Sequence, residues 1–163
     1  MIRRTLLALA VVLVLVVAGG VLLLVAGRSG PGACEPPVQD PLDPRSLQHA
    51  LPGAPPPTYA TEPPTSGPHQ AGGLAGDVVN QPLPGPAQVG ALEAGQVLLQ
   101  HRDLEPAERT RLEALAGPLV VVAPNPALPT RVVASAWRIR QGCGAVDDAE
   151  LHRFVSDHAG QGP

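Results

Sequence analysis

Between Leu6 and Gly27 the chain runs for 22 residues without a charge, built only from Leu, Val, Ala and Gly. At 1.5 Å per residue such a run spans about 33 Å as a helix, enough to cross a hydrocarbon core of roughly 30 Å. Lipid offers no partner to a free backbone amide, so helix is the form expected there. Arg3 and Arg4 precede the run and Arg28 alone follows it closely, a bias that leaves the N-terminus inside and the C-terminus outside. The organisation expected is a single-pass protein of the cell membrane: a cytoplasmic tail over 1–4, a transmembrane helix over 5–27, a Pro/Gly-rich linker over 28–57 and an extracytoplasmic domain over 58–163. The rival is a cleaved signal peptide, whose apolar region is about 7 to 15 residues, shorter than this one. Ala33-Cys34 looks like the end of a lipoprotein signal, but Pro31 stands where an aliphatic residue is wanted, so lipidation of Cys34 is not expected.

What remains of the 163 residues has room for one modest domain. Its aromatic residues are Tyr59, Trp137 and Phe154, so the core must be built from aliphatic side chains. Setting aside Arg3 and Arg4, the other 9 arginines face all 14 acids, a balance of −5. That argues against a nucleic-acid partner bound through a basic surface. Outside the cytoplasm thiols are usually oxidised, and two cysteines with no spare suggest the bridge Cys34 to Cys143. Two free thiols or two metal ligands are the alternatives, and neither has the close C-x-x-C spacing of a metal or redox site.

Residues 28–57 carry few apolar side chains and many prolines, too little burial to offset ordering entropy, and read as a spacer. Pro55-Pro56-Pro57 lacks the P-x-x-P and flanking base of a polyproline ligand. From 58 to 90 the reading stays irregular, because Gly72, Gly73, Gly76, Pro82, Pro84 and Pro86 interrupt any long helix or central strand. Periodic structure follows. A strand is expected over 96–101, a helix over 106–116 opened by Pro106 and closed by Gly117, a buried strand over 119–123, and a second β-rich run over 131–139. Asp147-Asp148-Ala149-Glu150 has the form of a capping box that opens a last helix with Leu151, Phe154 and Val155 on one stripe. The order strand, helix, strand, strand, helix gives an α+β or small α/β domain, with the first two strands parallel. Trp137, on the strand so drawn, is expected in the core.

Tyr59, the heptad Pro63-Pro64-Thr65-Ser66-Gly67-Pro68-His69, Leu92-Glu93 with Gly95, and Ala136-Trp137 with Cys143 beyond it together resemble the bacterial family called domain of unknown function 3105. The resemblance covers roughly 57–163 and implies an exported or single-pass protein with no established activity. The family's second signature looks like H-x-L-E-H-G, and Gly90-Ala91-Leu92-Glu93-Ala94-Gly95 stands in its place, without either histidine. The heptad's histidine with those two and the adjoining Glu would make a natural shell for zinc or copper. Here only His69 and Glu93 persist. His101 is the nearest substitute, and it reaches Glu93 only if the chain folds sharply back at Gly95. His49 falls in the linker, and His152 and His158 on the last helix read as solvated.

A hydrolase reading, with Ser66 or Thr65 as nucleophile, His69 as base and Glu93 orienting it, lacks a G-x-S-x-G elbow and a glycine-rich oxyanion loop. The heptad reads better as a rigid turn whose hydroxyls bond backbone. The reading favoured is therefore a membrane-anchored, non-enzymatic binding or accessory module at the cell envelope, with an envelope protein as a possible partner and no cofactor. The runner-up is a metal-binding or redox protein that uses His69 and Glu93 with further donors, zinc or copper being the metals implied.

Overall fold

Two buried strands set the architecture. Residues 97–99 and 120–123 are apolar without a break, and Gln100 and His101 are buried beside them, as in strands covered on both faces. In the computed structural model, which describes residues 34–51 and 53–163, they are β2 (Val97–His101) and β3 (Val120–Pro124), paired in parallel from Val97 opposite Val120 to His101 opposite Pro124. The crossover between them is a helix, Pro106–Glu113. The expected transmembrane segment lies outside the described residues; among these, no helix is long and apolar enough to cross a membrane.

In chain order the elements are β1 (Val38–Gln39), α1 (Gly85–Glu93), β2, α2 (Pro106–Glu113), β3, β4 (Val132–Ala136), β5 (Ile139–Cys143) and α3 (Asp148–His158). The five strands form one mixed sheet in the order β1-β5-β4-β2-β3, and the α+β class holds. One face packs Val97, Leu99, Val122, Val132 and Ala134 against Leu112 of α2 and Leu151 and Phe154 of α3. The other packs Leu98 and Val121 against Ala91 and Leu92 of α1, with Leu74, Val79 and Leu83 around them. The cap expected for α3 is present: Asp147 Oδ1 accepts from the Glu150 amide at 3.1 Å, which satisfies one of the helix's free donors.

Three expectations change. The run 131–139 is a hairpin, not one strand: Ala136 pairs with Ile139 and Trp137-Arg138 form the turn, so Trp137 is half-buried at a sheet end, where it packs against the edge of the Ala91, Leu92, Leu98 and Val121 cluster. The stretch 58–90, expected to be irregular, holds the first part of α1, whose Pro86 sits in the first turn, where a missing N–H costs nothing. Residues 34–51, assigned to the linker, are fastened to the sheet as a strap. Cys34 is disulfide-bonded to Cys143, Val38 and Gln39 pair antiparallel with Arg140 and Ile139, and buried Asp40 takes Arg140 Nε at 3.0 Å and the Thr65 hydroxyl at 2.9 Å. Chain that buries little apolar surface is held instead by charge-assisted hydrogen bonds and one covalent bond.

Candidate metal centre

The heptad Pro63–His69 is buried throughout, and the strap covers it. Ser66 Oγ accepts from the Asp43 amide at 3.0 Å, the Gly67 amide donates to Ser46 Oγ at 3.0 Å, the His69 amide donates to the Gln48 carbonyl at 3.1 Å, and the Ala50 amide donates to the His69 carbonyl at 2.7 Å. On the other side the Tyr59 hydroxyl donates to the Pro68 carbonyl at 2.6 Å. The hydroxyls of Thr65 and Ser66 are thus spent on strap residues, and Ser66 makes no bond to His69. The nucleophile-and-base arrangement does not form.

His69 is held in one tautomer. Its ring is fully buried, and Nδ1 lies 2.9 Å from the Gly67 carbonyl oxygen, which only accepts, so Nδ1 carries the proton and donates. Nε2 is then left with a lone pair. It lies 2.7 Å from Glu93 Oε2, a distance at which either a proton or a metal ion joins the two atoms. Two lone pairs that close repel each other unless a cation, a proton or a metal ion, lies between them. A backbone carbonyl that fixes Nδ1–H and frees Nε2 is the arrangement metal-ligating histidines use.

The third donor is His49, expected in the linker. His49, at the end of the strap, runs parallel beside His69, and the two rings meet edge to face with centroids 5.1 Å apart. His49, His69 and Glu93 each bring one ligand atom within 4.8 Å of the others. A shell of zinc–nitrogen bonds near 2.0–2.1 Å has donor–donor edges of roughly 3.3 Å. Closing a separation of up to 4.8 Å to that edge needs a shift of at most about 1.5 Å, and the exposed His49 side chain is the one of the three free to make it. Both sulfurs are in the disulfide, so the donor set is two imidazoles and a carboxylate. That set suits zinc or copper(II) better than magnesium or copper(I), and leaves a coordination position open.

His101 does not join. The chain does turn at Gly95, where φ is 81°, but Glu93 ends α1 while His101 shares the opposite sheet face with Val97 and Leu99. Burial pushes the His101 pKa down, and the charge on Arg109 adds to that. His152 is exposed, and the half-buried His158 rests its ring on Phe154 at 4.6 Å.

A family model described as "protein of unknown function (DUF3105)" matches residues 55–163. The chain belongs to that family. No curated protein and no solved structure matches it. The DUF3105 match begins after the strap, so His49 lies outside it, whereas His69 and Glu93 lie inside. Gly90, where the resemblance implies a histidine, has no room for one: a Cβ there would collide with the Gln70 carbonyl oxygen. In this DUF3105 chain the loop after the heptad lies against position 90, and a histidine from the strap stands beside His69. No spacing marks His49 in the sequence; the one available clue is Cys34, whose pairing with Cys143 ties the strap to the domain.

Proposed function

We propose that this is an exported, membrane-held domain that binds one transition-metal ion through His49, His69 and Glu93, zinc and copper(II) being the metals its donors favour. The carrying observation is the cluster itself: the His69 ring, with Nδ1 on the Gly67 carbonyl, turns a buried Nε2 to within 2.7 Å of a Glu93 oxygen, and His49 brings a third ligand atom within 4.8 Å of both. His49 turns that pair into a set of three donors, which the favoured reading from sequence, a binding module without a cofactor, did not have.

Elemental analysis of the full chain, purified with its disulfide intact, tests this. About one metal ion per chain is expected, lost in His49→Ala while the circular dichroism spectrum stays unchanged, since that side chain is exposed. A native chain that retains no zinc or copper leaves a protonated His69–Glu93 pair as the better account and sinks the proposal.

Export and anchoring rest on the 22-residue apolar run and on the disulfide, which suits an oxidising compartment. Alkaline extraction of membranes should leave the chain in the pellet, and protease added from outside should digest residues 58–163. Release into the supernatant would point to a cleaved signal peptide.

A further inference from the structure

The strap is built inside out. Its Asp40 and Ser46 are buried and its Asp43 carboxylate is held by Arg45, while its large apolar side chains face water. Leu47 is 96% exposed, Leu51 73% and Leu42 51%. Of the six exposed large aliphatic side chains among the described residues, Val38 and these three lie on the strap, and only Val78 and Leu119 lie elsewhere. A single exposed leucine needs no explanation, but a cluster of them marks a surface that meets something. Leu42 and Leu47 form such a cluster, since they edge one hollow together with the half-buried Trp137. Leu47 stands on two successive turns, closed by bonds from the Ser46 amide to the Asp43 carbonyl and from the Gln48 amide to the Arg45 carbonyl, so its outward position is set by the backbone.

The chain before the strap says what that surface meets. Six residues, 28–33, separate the uncharged run ending at Gly27 from Cys34, and the seven links from Gly27 to Cys34 reach at most about 25 Å at full extension. Cys34 is fixed opposite Cys143 by the disulfide. From there the strap runs antiparallel along β5 to its other end, where the Asp40 amide donates to the Arg138 carbonyl. The five residues of β5 put its two ends about 13 Å apart, less than the tether spans. A bilayer crossed by the apolar run is therefore within reach of Leu42 and Leu47, at the roughly millimolar effective concentration of a short linker.

We propose that the strap is a second point of attachment to the membrane. Leu42, Leu47 and Trp137 enter the headgroup–acyl boundary of the leaflet they face, so that the domain rests on the bilayer through the strap. Apolar side chains on one face of a surface segment bind lipid in this way, buried about 5–10 Å deep, and the amphipathic tryptophan ring suits that depth. Each leucine so buried raises partitioning by about tenfold or more. Charge attraction is not the driver, because the residues beyond Arg4 balance to −5, so zwitterionic lipid is the partner. This rests on the membrane-held reading above.

The full chain, disulfide intact, is reconstituted in phosphatidylcholine vesicles with and without bromine on the upper part of the acyl chains. Trp137 is the chain's one tryptophan, so quenching by bromine reports on the domain and not on the apolar run. Quenching by the brominated lipid is expected, as is its loss when Leu42→Asp and Leu47→Asp are combined, both side chains being exposed enough to change without unfolding the domain. Leu47→Trp, alone or with Trp137→Phe, should be quenched more strongly than the native chain, because position 47 projects furthest. If the chain stays with the vesicles after an alkaline wash but bromine quenches neither Trp137 nor the Leu47→Trp variant, the docking proposal falls and the anchored reading stands. The proposal falls equally if bromine has no effect and a photo-crosslinker at position 47 joins two copies of the chain, which would give the leucines to a second copy. If the alkaline wash strips the chain from the vesicles, the anchored reading falls and takes the docking proposal with it.

Discussion

Tyr59 shows how one side chain can lock a turn. Its hydroxyl donates to the Pro68 carbonyl one residue before His69, its ring lies within 3.1 Å of where a Gly67 Cβ would stand, and burial raises its pKa to about 12, with Arg45 pulling it back down. The phenol in the unfolded chain ionises near about 10. The folded state therefore holds this proton more tightly than the unfolded state does. Stability should be insensitive to this group below about pH 10 and should fall as pH rises from there through 12. Because Tyr59 is the only tyrosine, tyrosinate absorbance reads it alone. A midpoint close to 12 in the native protein is expected, moving to about 10 in denaturant. A native midpoint already near 10 would mean that the ring is solvated and the heptad is not braced from this side.

At the scale of elements, the strap is the segment on which the site depends, and its outer end is covalent. The Cys34–Cys143 bond spans 109 residues, and loop-closure entropy assigns a crosslink of that length about 4 to 5 kcal/mol. Replacing both cysteines by serine should lower the unfolding free energy by about that amount in a denaturant titration. A loss below about 1 kcal/mol would show that Asp40, with Arg140 and Thr65, holds the strap unaided. Elements whose residues carry a period were legible in the sequence. β3 stands out as a continuous apolar run, β2 as a strand-length stretch opened by Gly95, and α3 by its Asp147 cap. α1 was hidden because Pro84, Gly85, Pro86 and Gly90 look like breakers, although Pro86 falls where a helix tolerates it and Gly90 is where the Gln70 carbonyl presses in. The β4–β5 turn was hidden because it uses Trp137-Arg138 instead of glycine or asparagine. The strap was hidden for a different reason. Hydrophobic pattern cannot reveal a segment fixed by Asp40, Ser46 and backbone bonds, and the linker reading was in tension with the disulfide reading, since a bridge from Cys34 pins the supposed spacer to the sheet. Of the candidate centre, His69 and Glu93 were legible and His49 was not.

For the whole molecule, the three donors come from three segments: the strap, the heptad and the end of α1. They are brought together only when all three are docked, so an ion that binds them binds the native state and not the unfolded chain. Mass action then makes the metal a stabiliser: free zinc at 100 times its dissociation constant should raise the unfolding free energy by about 2.7 kcal/mol, and further additions should raise it in proportion to the logarithm of concentration. His49→Ala should remove most of this increment while leaving the metal-free stability nearly unchanged, because the exposed ring contributes little packing. Magnesium separates this from a trivial alternative. A chain whose residues beyond Arg4 balance to −5 is stabilised weakly by any divalent cation that screens its acids, but magnesium prefers six oxygens in an octahedron and has little use for two imidazoles. Zinc should therefore shift the denaturation midpoint where equal magnesium does not. Equal shifts from both ions would assign the effect to the acidic surface and leave His49, His69 and Glu93 without a metal.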